Sequence, residues 1–291
     1  MILKVIITAV ILIAIIVLLE IIRETHSFKI TDYEIVSSKL PKGMKEKTIV
    51  LLSDLHNCVY GKENSRLLKA IEDQDPDLIL SAGDMLIGEK GVSFQIAADF
   101  MEKVSKIAPV YYGNGNHEQR MKDWTGEYKN EYKKYSSRLK EKGIRVLENE
   151  TDSLFWENRK IDISAVEIPS SYYKRFVRKE LELEELEERV GSKDENAYTI
   201  LIAHNPVHAK CYARWGADLV VSGHLHGGVV RIPFSRGVIT PQAILFPKYS
   251  GGVYRIEDTT MIVSRGLGTH TIKVRLFNQC ELVVLHMKGK E

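Results

Sequence analysis

The sequence predicts an α/β fold of two packed sheets with helices outside, preceded by a membrane-spanning helix. Three observations predict it. Apolar runs of strand length alternate with segments of helical period from residue 47 onward. The chain then turns strand-rich after His226, which suits a second sheet packed on the first. The first two dozen residues form one apolar run long enough to cross a bilayer, which takes ~20 residues.

Taken in order, residues 5–19 read VIITAVILIAIIVLL, with no charge and only Thr8 polar. Ile21 and Ile22 extend the run past Glu20, so residues 2–22 span if Lys4 and Glu20 reach toward the interfaces. A cleaved signal peptide is the rival reading, but no small-x-small cleavage site follows. Residues 1–24 are therefore read as a single-pass anchor in the cell membrane, 25–46 as a connecting segment and 47–291 as one domain. Flanking charges do not decide which side the domain faces.

In the domain, the buried strand candidates are 48–53 (TIVLLS), 78–81 (LILS), 110–112 (VYY), 200–203 (ILIA) and 219–222 (LVVS). A short strand is also expected at 33–36. Helices are expected at 64–73, 94–107 and 127–142, the last with Tyr128, Tyr132, Tyr135 and Leu139 on one core-facing stripe. Residues 145–165 read as short strands with a turn at Asn158-Arg159, and the acidic stretch 179–189 as an exposed helix. The strand-rich end carries VVRIP, GVYRI, MIVSR and ELVVLHM.

A formal charge of +2 over 291 residues gives no general attraction for nucleic acid. Cys58, Cys211 and Cys280 are too few and too scattered for a disulfide framework, and read as packed thiols.

The chemistry lies where the strands end. TIVLLS leads to Asp54 and His56, LILSAG to Asp84, VYYGNG to Asn116 and His117, ILIA to His204, and LVVSG to His224 and His226. Sites in open α/β sheets form outside the carboxyl ends of strands. Asp54/His56 and His224/His226 are i, i+2 pairs, which face one way in extended backbone. Carboxylate, amide and imidazole donors suit Mn, Fe, Zn or Co, not calcium. Seven candidate ligands are too many for one ion and fit two, roughly 3.5–4 Å apart around a shared carboxylate. His26, His208, His270 and His286 fall outside these motifs and receive no role.

D-L-H (54–56), G-D (83–84), G-N-H-E (115–118), His204 and G-H-L-H (223–226) resemble the signature of calcineurin-like metallophosphoesterases. H-N-P (204–206), G-H-L-H-G-G (223–228) and S-R-G-L-G (264–268) resemble its membrane-associated bacterial branch of YkuE- and YaeI-like phosphohydrolases. The resemblance implies a two-sheet α-β-β-α sandwich. It implies one divalent ion on Asp54, His56 and His226, another on Asn116, His204 and His224, and Asp84 bridging. His117 would be the general acid for the leaving group or a phosphate contact. Two departures stand out. The G-D-x-x-D-R-G of Ser/Thr protein phosphatases is missing, since Gly83-Asp84 continues as MLIGEK. Glu118 stands where the family usually has an Asp that orients the histidine.

The expected function is hydrolysis of a phosphoester or pyrophosphate by a hydroxide bridging two metal ions (Mn, Fe or Zn). The anchor points to a phosphate-containing lipid or lipid-linked substrate at the membrane; some relatives cleave a nucleotide-linked diacyl sugar. The alternatives are a phosphodiesterase acting on a soluble nucleotide and a non-catalytic scaffold. Nucleic acid is not the expected partner.

Overall fold

The computed structural model describes residues 1–173, 179–232, 237–240, 244–269 and 273–290. His270 and the end of the expected strand VVRIP lie outside them. Helix α1 (Ile2–His26) is long and apolar enough to cross a membrane, and none of its most apolar stretch is buried against the domain.

Residues 25–46, expected to connect anchor and domain, supply strand β1 (Phe28–Ser37), which contains the strand expected at 33–36. Its side chains alternate between covered and exposed, as an edge strand allows, and its charged residues blunt that edge. The chain then builds β2 (Lys47–Leu52), α2 (Ser65–Glu72), β3 (Leu78–Ser81), α3 (Gln95–Val104), β4 (Val110–Gly113), α4 (Asn116–Lys122), α5 (Glu131–Glu141) and β5 (Arg145–Leu147). The second half gives β6 (Glu150–Trp156), β7 (Arg159–Val166), α6 (Leu183–Val190), β8 (Tyr198–Ala203), α7 (Ala209–Trp215) and β9 (Leu219–Ser222). Last come the β10 (Val230–Arg231) and β11 (Gly237–Ile239) pair, β12 (Gly252–Ile256), β13 (Thr259–Val263) and β14 (Cys280–Gly289).

One sheet has the order β1-β14-β2-β3-β4-β5 and the other β12-β13-β9-β8-β7-β6. Both are covered on both faces, which is why their central strands are continuous apolar runs. Ile49, Leu51, Leu78 and Leu80 pack inward against Ile163, Ile200, Ile202 and Val221 of the other sheet. Their alternates Val50, Leu52, Ile79 and Tyr112 pack outward on Leu67, Ile71, Phe100 and Tyr135 of the helices. Leu201, Ala203 and Val220 do the same beneath Leu186, Tyr212 and Trp215. Each such aliphatic side chain contributes about 1.5–3 kcal/mol by leaving water.

The helix expected at 127–142 is broken. A 3₁₀ turn, Gly126–Tyr128, precedes α5, and Asn130 between them has non-helical backbone, as asparagine at a helix start commonly does. Tyr132, Tyr135 and Leu139 are buried as the stripe predicts, whereas Tyr128 is only half-buried.

Candidate metal centre

β2, β3 and β4 run parallel in one sheet, and β8 and β9 run parallel in the other. Their carboxyl ends open on a common edge of the sandwich, and there the chain leaves extended geometry. Asp54, His56, Asp84, His224 and His226 all have positive φ, from 47° to 71°. Such backbone is rare for residues with a side chain and clusters at functional sites. Two glycines make the crowding tolerable. A Cβ on Gly115 would lie 2.2 Å from Asp84 Oδ1, and one on Gly223 would lie 2.3 Å from Asp54 Oδ2.

The imidazoles are held by their far nitrogens. His204 Nδ1 lies 2.7 Å from the Ala82 carbonyl, His56 Nδ1 3.3 Å from that of Leu86, and His226 Nδ1 3.3 Å from that of Gly268. A carbonyl only accepts, so Nδ1 of His204 and of His56 carries a proton, and in all three rings Nε2 is the nitrogen turned inward. His56 Nε2 and His226 Nε2 are 3.2 Å apart. His226 Nε2 is 3.4 Å from Asp54 Oδ1, and His204 Nε2 is 3.1 Å from Asp84 Oδ2. A cation placed among these inward nitrogens and carboxylates would draw on all of them. Asn116 Oδ1 is buried with no hydrogen-bond partner, a further oxygen suited to a cation. Asp54, His56 and His226 form one group close enough to hold an ion; Asp84, His204 and His224 form a second, and His56, Asp84 and His117 a third. The residues therefore fit divalent metal.

Residues 47–228 match the calcineurin-like phosphoesterase family. The chain belongs to the calcineurin-like phosphoesterase family. A metallophosphoesterase of Aquifex aeolicus (strain VF5) is 30% identical over 275 residues, covering 92% of this chain and 94% of that one. A Danio rerio protein named as a transmembrane protein with a metallophosphoesterase domain is 25% identical over 285 residues, 96% of this chain and 62% of its own. The chain thus spans less than two thirds of that relative. Phosphodiesterase YaeI of Escherichia coli (strain K12) is 26% identical over 225 residues, covering 76% of this chain and 75% of that one.

The calcineurin-like family is metal-dependent. Burial pushes the Asp54 carboxyl upward against the pull of His204. Burial acts upward on Asp84 too, but the charges of His204 and His117 outweigh it and hold Asp84 well below the usual range. Burial would lower His204, yet the Asp84 charge and its proximity hold it up at about 9. A proton on His204 Nε2 is thus favoured beside the Asp84 carboxylate. Burial, with the charge of Arg275, pushes His226 down to about 3, leaving it a neutral donor.

Glu118 does not orient His117. Its carboxylate accepts from the backbone N–H groups of Asp84, Met85 and Gly115, at 2.9, 2.9 and 3.0 Å, and from the Tyr112 hydroxyl at 2.7 Å. It pins the turn that carries Asp84, a reach that the extra methylene of Glu permits. Burial and the Asp84 charge push Glu118 up to about 7. His117 is set by two backbone contacts. Its own N–H donates to Asp84 Oδ1 at 2.8 Å, and Gly88 N–H donates to its Nδ1 at 2.9 Å. The proton of the neutral ring therefore sits on Nε2, 3.9 Å from Asp84 Oδ2.

Of the sequence-predicted residues, Asp54, His56, Asp84, His117, His204, His224 and His226 are brought together within these groups. Asn116 directly precedes His117 at the start of α4. His26, His208 and His286 lie elsewhere, on Ile22, Leu181 and Asp32 respectively. Sequence reasoning missed three neighbours. Arg275, only 1% exposed, donates to the carbonyls of Arg265 and Gly268, each at 2.7 Å, and so fixes the loop behind His226. Asn278 donates to the His226 carbonyl at 2.7 Å. Tyr173 lies edge-on to His224, ring centroids 4.9 Å apart, with a buried hydroxyl that has no partner. None stands in a short motif; S-R-G-L-G, ahead of Arg275, was the nearest signal.

Proposed function

We propose that this protein hydrolyses phosphoester or pyrophosphate bonds with two divalent metal ions, at a membrane to which α1 anchors it by a single pass. The observation that carries the reading is the inward convergence of imidazole Nε2 atoms and carboxylates from five strand ends. Asp54, His56 and His226 would hold one ion, and Asn116, His204 and His224 the other. Asp84 would serve both, since its Oδ2 lies 3.9 Å from His56 Nε2 and 3.1 Å from His204 Nε2. Nitrogen and oxygen donors without thiolate suit Mn, Fe or Zn. When bound, the ions supply Lewis acidity that activates water and neutralises phosphoryl oxygens.

The chain supplies the rest. Backbone N–H groups of His224 and His117 hold the carboxylates of Asp54 and Asp84 in place. Glu118 fixes the Asp84 turn from behind. His117 presents an Nε2 proton on the same side as the metal ligands, where it can bond a phosphoryl or leaving oxygen. A phosphate-containing lipid or lipid-linked substrate suits an enzyme held at the membrane surface. The scaffold reading is disfavoured because every ligand position is filled.

The test is Asp84→Asn. Manganese-stimulated hydrolysis of nitrophenyl phosphate should fall to background and bound metal, measured by mass spectrometry, should drop, while circular dichroism stays unchanged. Wild-type turnover in that variant would refute the mechanism.

A further inference from the structure

Exposed apolar side chains occur beside the metal loop, at the point where the anchor helix meets the domain. α1 ends at His26 and β1 begins at Phe28, so a single residue separates them. A 25-residue helix is about 37 Å long, against about 30 Å of hydrocarbon. With residues 2–22 in the acyl layer, Arg23 to His26 stand among the headgroups. Glu24 is only 4% exposed, because its carboxylate accepts the Asn278 N–H at 2.8 Å. Gln279 Nε2 adds a bond to Ser27 Oγ at 2.9 Å. The loop around Asn278 therefore lies at headgroup depth. The Asn278 side chain reaches on to the His226 carbonyl, so one residue links the anchor to a metal-site loop.

The apolar groups are continuous with that junction. Phe277 is 50% exposed, next to Asn278, and Ile232 is 51% exposed. Leu245 and Phe246 are 63% and 61% exposed. Backbone bonds join the segments that carry them. Arg231 N–H donates to Leu276 O at 3.0 Å, Val229 N–H to Ile239 O at 2.6 Å, and Phe246 N–H to Val238 O at 2.8 Å. Phe246 and Phe277 have φ of +47° and +54°, a conformation bulky residues seldom take, and both rings stand exposed. Lys248 and Lys273, both exposed, flank the patch and match anionic headgroups.

We propose that this layer, formed by the β10–β11 pair with residues 244–246 and 276–278, is a second membrane-contacting surface that seats in the lipid headgroup region. The inference rests on the membrane-anchored phosphoesterase reading above and adds the orientation of the domain. The occupant is lipid, not protein, because the patch continues from the end of a helix that is itself apolar on every side.

The full-length protein reconstituted into phosphatidylcholine–phosphatidylglycerol vesicles provides the test. An environment-sensitive fluorophore is placed on Phe246→Cys and, separately, on Phe277→Cys. Labelled parent protein gives the background from Cys58, Cys211 and Cys280. Phe155→Cys, an exposed aromatic position on edge strand β6, is the control. Spin-labelled phosphatidylcholine with a shallow nitroxide should quench the probes at 246 and 277 about twofold and leave 155 unquenched. Leu245→Glu should lower quenching of the probe at 246 to the level at 155 without changing nitrophenyl phosphate turnover. Equal, weak quenching at all three positions would overturn the proposal, as would cross-linking of position 246 to a second copy in place of lipid. Loss of nitrophenyl phosphate turnover in the parent protein would instead sink the phosphoesterase reading, and the quenching result would stand apart from it.

Discussion

At His117 a backbone donor decides what the ring can offer. Because Gly88 N–H occupies Nδ1, the remaining proton lies on Nε2, on the side of Asp84. A group that protonates a departing oxygen matters most when that oxygen leaves badly. His117→Ala should therefore lower kcat/KM for alkyl phosphates by about 10²–10⁴-fold and for nitrophenyl esters far less. Equal losses across a leaving-group series would remove the proton-donor role. His208 makes a contrasting case. It is 5% exposed and its Nδ1 accepts from Leu181 N–H at 3.3 Å. Burial pushes it down to about 4 against the upward pull of Glu185. A histidine whose folded pKa lies below its unfolded value, near 6.5, is fully stabilising above that value. That contribution is lost as pH falls from about 6.5 toward 4. Wild type should thus lose about 2 kcal/mol more than His208→Asn between pH 7 and pH 5, measured by urea unfolding. Parallel pH curves for the two would place the titration elsewhere.

At the scale of elements, the two sheets must approach closely where they share the site. Gly113, the last residue of β4, would place a Cβ 2.6 Å from Cγ2 of Ile202 on β8. Gly113→Ala should cost about 1–3 kcal/mol through overpacking, seen as a lower urea midpoint with an unchanged slope. Combined with Ile202→Ala, the loss should be smaller than the sum of the two single losses, because the clashing methyl is gone. Strict additivity would show that the sheets do not meet there. The strands that bring ligands to this edge were legible because each is buried on both faces and reads as an unbroken apolar run ending in Asp, Asn or His. β1 was only partly legible, since FKITDYEIVS alternates as an edge strand does and its partner β14 comes from the far end of the chain. α4 was not legible at all: among its seven residues, NHEQRMK, only Met121 is apolar. Arg275 and Asn278 escaped for another reason. They act on the His226 loop about fifty residues earlier in the chain, a contact that depends on the fold and leaves no local pattern. Glu118 was visible in its motif, but its task was not, because three of its four donors are backbone N–H groups set by the turn at Asp84 and Gly115.

For the whole molecule, α1 and the His226 loop belong to one connected structure. Glu24 at the end of α1 bonds to Asn278, and Asn278 bonds to the His226 carbonyl. Removal of the span can therefore be separated from damage to the site only if that bond is kept. A deletion of residues 2–22 leaves Glu24, Ser27 and all of β1 in place. Such a protein should leave the membrane fraction and turn over nitrophenyl phosphate within about twofold of the parent, since the deletion removes no residue of the site. A substrate that diffuses in water meets the enzyme at its bulk concentration, whereas one confined to a bilayer meets an anchored enzyme at a far higher effective concentration. Turnover of a phosphoester carried on a phospholipid in vesicles should accordingly fall about tenfold or more on deletion. Unchanged vesicle turnover would mean that the anchor does not supply the substrate. A parallel collapse with the soluble ester would mean that α1 is needed to hold the His226 loop through Glu24, a role that Glu24→Ala in the full-length chain would then reproduce.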